Sequence, residues 1–291
     1  MREASKWKDY AILDTSDGKK LERWVDYTLI RPDPQVIWNT PRGTAWQHAD
    51  GQYFRSKQGG GHWEANLPAK WAISYGPLHF WLKPMGFKHT GLFPEQAVNW
   101  DFMRSTIQRA GRPISVLNLF AYTGGATLAC AEAGAHVVHV DASKGMVNWA
   151  KENAALSGLK EHPIRYLVDD CAKFVSREIR RGHHYDAIIM DPPSYGRGPS
   201  GEIWKLEETL FPLLAQAAQL LSEDPLFFVL NSYTTGLSPS VMAYMLGVTV
   251  AKGRKKGHIS ADEIGLPVKE TGLTLPCGAT AIWEAKPLEF K

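Results

Sequence analysis

The chain predicts an α/β fold, a parallel sheet with helices on both faces, joined to a smaller β-rich N-terminal region. Three observations carry that expectation. From residue 114 onward, short apolar runs alternate with stretches of helix-forming composition, the pattern of a parallel sheet buried between helices. Residues 114–141 read as strand, glycine turn, helix, strand and acid in direct succession, which is the nucleotide-binding βαβ plan. Finally, eight of the eleven tryptophans lie at or before Trp100, among short extended runs separated by proline and glycine.

In the N-terminal region the extended runs are 10–13, 24–30, 35–38, 62–64, 71–75 and 78–82, with breakers such as Pro32-Asp33-Pro34 between them. The tryptophans there supply either core area that so small a domain otherwise lacks or a platform for stacking RNA bases. Residues 94–108 have helical composition and lead into the second region. Strand 114–120 is followed by the turn Ala121-Tyr122-Thr123-Gly124-Gly125-Ala126, a helix over 127–133, and strand 136–140 ending at Asp141. Ser143 is placed to cap a helix over 146–156, with Gly158 as its stop. Strand 164–168 meets Asp169-Asp170; a helix covers 172–181, and strand 185–190 meets Asp191. A long helix is expected over 204–221, then strand 226–230 and a last strand over 279–284.

The most informative stretch is Asp191-Pro192-Pro193-Ser194-Tyr195. Its carboxylate accepts hydrogen bonds from an amino group, its ring stacks on a flat acceptor, and the prolines hold both in place. A proline-stopped strand entering a surface turn would look the same, so the pentapeptide alone leaves both readings open. In the glycine turn, Gly124 and Gly125 would let backbone approach a ligand that a Cβ would exclude, and Asp141 stands where an acid meets ribose hydroxyls. The chain has neither G-x-G-x-x-G nor G-x-x-x-x-G-K-[ST], which favours a nucleoside ligand without a diphosphate.

Asn118-Leu119-Phe120-Ala121-Tyr122-Thr123-Gly124-Gly125, Val140-Asp141-Ala142-Ser143, Val168-Asp169-Asp170 and Asp191-Pro192-Pro193-Ser194-Tyr195 occur in this order. Together they resemble the class I S-adenosylmethionine-dependent methyltransferases, most closely the ribosomal RNA branch related to the large-subunit cytosine-C5 enzymes. His89-Thr90-Gly91-Leu92-Phe93-Pro94-Glu95-Gln96 is similar to the segment preceding the core in that branch, with Glu95 in place of its Asp and Ala97 in place of its Arg. The resemblance implies a Rossmann-like seven-stranded sheet with one antiparallel strand near the end, and S-adenosylmethionine as methyl donor. It also implies a donor site from Asn118, Phe120, Tyr122, Thr123, Gly124, Gly125, Asp141, Ala142, Ser143, Asp169, Asp170, Cys171 and Asp191. In that site Asp141 would hold the ribose, Asp170 (with Asp169 the competing choice) the adenine amino group, and the two glycines would face the methionine portion. Asp191, Pro192, Pro193 and Tyr195 would form the catalytic ledge. The related C5 enzymes carry a cysteine after the fifth strand, where this chain has Asn231-Ser232-Tyr233-Thr234, and Ser194 follows Pro193. Covalent cytosine chemistry, which needs a thiolate nucleophile, is therefore not expected. Cys171 reads as a small packed residue.

With 291 residues, 44% hydrophobic and 22% charged, the chain is expected to divide into a β-rich domain over 1–93, a candidate for RNA or substrate recognition, and a methyltransferase domain over 94–291. Three widely spaced cysteines without C-x-x-C suggest neither a zinc site nor a disulfide framework. The first ten residues are polar and no long apolar run appears, so the cytoplasm is the expected location. Net charge is only +3, but two basic clusters stand out. Arg177, Arg180, Arg181, His183 and His184 suit either a helix C-terminus or phosphates. Lys252, Arg254, Lys255, Lys256 and His258 suit either a solvated loop or RNA. The expected function is methylation of a base nitrogen of ribosomal RNA, with RNA as partner and no metal. A methyltransferase for a protein or small-molecule amine, and an RNA-binding module without catalysis, stay open.

Overall fold

The computed structural model describes residues 1–56, 60–234, 236–254 and 256–286. The chain forms two compact units, one of Met1–Val98 with Ile264–Cys277 and one of Asn99–Glu263 with Gly278–Lys291.

In the first unit the strands Tyr10–Ser16, Lys19–Trp24, Tyr27–Pro32, Gly51–Arg55 and Gly61–Ala65 form one sheet in that order, and Trp71–Tyr75 pairs with Leu78–Leu82 as a hairpin. The expected run 24–30 is split, because Val25 turns at φ 62° and its N–H goes to Asp9. The expected run 35–38 is not a strand. Asp33 captures it, accepting the N–H of Gln35 on its side chain and that of Val36 on its carbonyl, an Asx-type turn that competes with extended structure. Lys19–Trp24 is a strand that its polar composition hides: Leu21, Glu22 and Trp24 are all fully buried. Trp24, Trp46 and Trp71 are core residues, and Trp38 is partly exposed with its N–H on Thr15.

Glu22 is the centre of a buried charge network. Arg31 grips both its oxygens at 2.6 and 2.8 Å, and Tyr10 donates its hydroxyl at 2.6 Å. Lys20 bridges Glu22 and Asp33 at 3.5 and 3.2 Å. Burial alone would raise the Glu22 carboxyl, but Arg31 and Lys20 overcome it and hold the group down at about 2. The nearby His89 imidazole is lowered to about 3, first by burial and then by Arg31 and Lys88.

The second unit holds the large sheet. Its strands are β1 Ser115–Leu119, β2 His136–Asp141, β3 Ile164–Val168, β4 Ala187–Met190, β5 Phe227–Ser232, β6 His258–Pro267 and β7 Thr274–Glu284, in the order β3-β2-β1-β4-β5-β7-β6. β1 to β5 are parallel and β7 runs antiparallel to β5. The order reverses between β1 and β4, the switch point at whose carboxyl edge an open α/β sheet takes its ligand. β6 and β7 carry the chain into the first unit and back, and Arg2–Glu3 pairs with Ile264 and Gly265 there.

The helices are α1 Ala97–Ala110, α2 Gly125–Glu132, α3 Lys144–Leu156, α4 Cys171–Arg181, α5 Leu206–Ala217 and α6 Pro239–Val248. Ser143 caps α3 and Asp170 caps α4 by accepting the N–H of Lys173 at 2.9 Å. The long helix expected from 204 begins only at Leu206, because Ile203–Lys205 pairs with Tyr195–Arg197 as a short antiparallel ribbon. α5 packs the core through Leu206, Leu210, Leu213, Leu214 and Ala217, with Phe174, Phe228 and Trp283 in the same cluster. No helix among the described residues is long and apolar enough to cross a membrane, and no group there could hold a metal ion.

Removing Glu22 leaves Arg31 buried without its counter-charge and Lys20 with Asp33 alone, so Glu22→Ala is expected to cost about 3–5 kcal/mol in a urea titration. Glu22 and His89 both bind protons more weakly folded than unfolded. The first unit should therefore be most stable above about 6.5 and lose stability steadily as the pH falls through about 3 toward about 2.

Candidate active site

Parallel register sets the frame. Leu119 of β1 lies opposite Val140 of β2 and Met190 of β4, and Asp141 lies opposite Val168 of β3. Asp141, Asp169-Asp170 and Asp191 therefore leave the same rim of the sheet. The loops behind them are stitched by backbone bonds, Ala121 N–H to Val140, Asp169 N–H to Asp141 and Asp191 N–H to Leu119.

Asp141 is the best-defined group on that rim. One oxygen accepts the N–H of Tyr122 at 2.8 Å and the other that of Ser143 at 2.8 Å. Burial pushes its carboxyl up, more than those two amides pull it down. Ala142 bridges Asp141 and Ser143, so the β2 loop and the β1 loop are both ordered by one carboxylate. The β1 turn is strained: Phe120 and Tyr122 are non-glycine residues at φ 58° and 52°, and Gly124 follows at 89°. Such residues each cost about 1–3 kcal/mol and persist where the surroundings hold them, commonly at ligand sites. Asn153 of α3 contributes to that hold, donating to the Thr123 carbonyl at 2.9 Å while itself fully buried.

The glycines also have a packing reason. A Cβ on Gly125 would lie 2.7 Å from the Trp100 ring, and one on Gly124 would lie 3.0 Å from Ala150. The space they leave is filled by protein, so they are required for seating the turn on α1 and α3. Asn118 sits below the rim, buried, donating to Thr127, which also meets His139 at 2.9 Å. Burial lowers the His139 imidazole to about 3, so it is neutral in this chain of polar groups.

The other acids differ. Asp169 is ion-paired with Arg177, whereas Asp170 spends one oxygen on the cap of α4. Cys171 is buried in the core cluster, and burial pushes its thiol well up. Asp191 and Pro192 lie at the end of β4, while Pro193, Ser194 and Tyr195 are exposed, Tyr195 by 56%. The Pro193 carbonyl accepts the indole N–H of Trp204 at 2.6 Å, and the Trp204 ring lies 4.9 Å from Phe120. Ser194 meets Thr234 at 2.6 Å. Trp204, Thr234, Asn153 and Trp100 are thus the residues that sequence reasoning missed. The Gly198-Pro199-Ser200-Gly201 turn, with Gly201 at φ 90°, was the available signal for the ribbon that places Trp204.

The basic clusters resolve unequally. Arg181 and His183 both bond Glu178, and Arg177 bonds Asp169, which is the helix C-terminus reading. In the second cluster Arg254 folds onto the Trp283 ring and the Val250 carbonyl; Lys255 lies outside the described residues.

A doubly wound sheet whose adjacent strands end in carboxylates, beside a strained turn, defines an α/β enzyme of the class I methyltransferase type. Residues 37–214 match the family described as S-adenosylmethionine-dependent methyltransferase, and the chain belongs to that family. A solved S-adenosylmethionine-dependent methyltransferase from Agrobacterium tumefaciens is 37% identical with a TM-score of 0.93, covering 98% of this chain and 93% of that one. One from Streptococcus mutans shares the fold at 17% identity and a TM-score of 0.72, covering 96% and 76%. Among curated relatives, the ribosomal RNA large subunit methyltransferase K/L of Magnetococcus marinus is 31% identical over 56% of this chain and 22% of its own length. That of Chromohalobacter salexigens is 31% identical over 65% and 24%. The chain thus spans about a quarter or less of those relatives. The family's donor, S-adenosylmethionine, suits this rim chemically: its ribose hydroxyls and adenine amino group are donors, and the rim offers carboxylate acceptors.

Because the Gly125 site is already full, Gly125→Ala is expected to destabilise the protein by about 1–3 kcal/mol through overpacking. Thermal denaturation of the purified variant reads that loss directly.

Proposed function

We propose that this chain methylates a base nitrogen of ribosomal RNA by direct displacement, without a covalent bond between protein and base. The observation that carries the reading is the exposed Tyr195 ring, four residues after Asp191 at the end of β4, on a rim whose strands end in carboxylates. The curated relatives' names supply the RNA.

In this reading Asp141 accepts from the ribose hydroxyls of the donor, and the uncapped oxygen of Asp170 from its adenine amino group. Asp169 is committed to Arg177, which favours Asp170 for that task. The strained Phe120–Gly124 turn faces the methionine portion. When bound, S-adenosylmethionine supplies a methyl group on a sulfonium, a leaving group that an oriented neutral nitrogen displaces without acid assistance. The protein's work is then mostly placement, which in intramolecular systems is worth up to about 7–11 kcal/mol. Tyr195 stacks the acceptor base, a contact of about 1–3 kcal/mol. Asp191 accepts an N–H of the acceptor amine, so that the nitrogen lone pair is aimed and the proton it loses has a partner. A base held in a duplex must first be flipped out to reach this ledge.

The cysteines support the nitrogen assignment. Cys130 and Cys171 are buried and Cys277 is partly buried, and burial raises all three thiols. A C5 reaction needs a reactive thiolate, whose pKa is lowered instead.

Asp191→Ala should lower kcat about a hundredfold or more, as when one preorganised polar group leaves an active site, with donor affinity unchanged in calorimetry. Asp141→Ala should do the reverse, weakening donor binding by about 1.5–3 kcal/mol, the range for hydrogen bonds to a charged group. The reading itself is tested with labelled donor offered unmodified large-subunit ribosomal RNA beside a protein extract. Label in an RNA base nitrogen supports it; label in protein alone overturns it. A covalent adduct on RNA containing 5-fluorocytosine would overturn the direct displacement.

A further inference from the structure

The geometry points to the ribbon Tyr195–Arg197/Ile203–Lys205 as an RNA-backbone contact surface, with Arg197 as its principal phosphate ligand and Trp204 as the residue that positions it. This rests on the proposal that the acceptor is RNA.

The ribbon has two chemically distinct faces. Tyr195 pairs with Lys205, Gly196 with Trp204 and Arg197 with Ile203. Because side chains alternate along a strand and directly opposed residues share a face, Tyr195, Arg197, Ile203 and Lys205 point one way. Gly196 and Trp204 point the other. The second face is the anchor. A Cβ on Gly196 would touch Pro193 at 3.4 Å, and Trp204 bonds the Pro193 carbonyl and packs on Phe120. Further ties hold the rest of the ribbon: Leu206 N–H to Ser194 at its base, and the Glu202–Lys173 ion pair near its tip. Lys173 is the residue whose N–H Asp170 caps. The ribbon is therefore braced against the loops that follow β1, β3 and β4.

The first face is left to solvent. Tyr195 and Ile203 are 56% and 57% exposed, an unusual pair of apolar surfaces to leave open on so short an element. They are interleaved with two cations, and aromatic or apolar rests alternating with cations are what single-stranded nucleic acid needs. Lys205 is held by Glu208 at 2.9 Å, whereas Arg197 has no carboxylate within ion-pair distance among the described residues. The guanidinium fork suits phosphate, and Arg197 is two residues from Tyr195, roughly 7 Å along a strand. A nucleotide stacked on Tyr195 would thus have a neighbouring phosphate within reach of Arg197. Arg177, Arg181 and His183 near the end of α4 are engaged by Asp169 and Glu178, which leaves them less free than Arg197 to meet phosphate.

The test uses the full chain and a fluorescein-labelled, single-stranded oligoribonucleotide of mixed sequence, titrated at several salt concentrations. Arg197→Ala should weaken binding and reduce the slope of log K against log salt by about 0.7, the value for one phosphate contact on a single strand. Arg197→Lys should keep most of that slope, and calorimetric affinity for S-adenosylmethionine should be unchanged in both. Trp204→Phe keeps the ring on Phe120 but removes the bond to Pro193. It should raise KM for RNA and lower kcat while leaving donor affinity intact. A wild-type chain that methylates RNA, with Arg197→Ala indistinguishable in slope and affinity, would overturn the ribbon and leave the activity standing. Label found only in protein would overturn both.

Discussion

One carboxylate organises the site. Asp141 takes a backbone N–H from the loop after β1 and another from the loop after β2, so the two halves of the rim are set relative to each other by a single side chain. It is one of the groups that hold the positive-φ residues Phe120 and Tyr122 in a conformation that non-glycine residues rarely adopt. The turn they form is pinned again from below, by Asn153 on the Thr123 carbonyl and by Trp100 and Ala150 in the space that Gly125 and Gly124 leave. Three elements thus converge on one short loop.

That loop connects to the proline turn after β4 through Trp204. Its ring meets Phe120 and its N–H meets the carbonyl of Pro193, so the turn after β1 and the turn after β4 share a neighbour. The ion pair between Lys173 and Glu202 gives the β3 loop a similar tie.

Much of this was legible from residue order, and the reasons differ by element. The strands 114–120 and 185–190 were readable because parallel strands buried on both faces are largely apolar, and the acids at the ends of 136–140, 164–168 and 185–190 mark the rim. Lys19–Trp24 was not, since four of its six residues are charged and the burial of Glu22 depends on Arg31 of the neighbouring strand. The ribbon was hidden because Trp204 and Leu206 fit the apolar period of the following helix, and pairing, not periodicity, decides where α5 starts. α6 carried a visible signal, Ser238 before Pro239, a cap followed by a first-turn proline. The packing demand at Gly125 was not legible, because nothing local says that Trp100 would occupy the space a Cβ needs.

The return of 264–277 to the first unit has a consequence for how the protein comes into being. Lys269 and Glu270 donate their amides to Ile12 and Leu13, and Ala4 donates to Gly265. Domains made early in synthesis commonly fold before later ones emerge. Here Ala4, Ile12 and Leu13 wait for partners more than 250 residues further along the chain, so this unit is completed only after the parallel strands of the second unit have been translated.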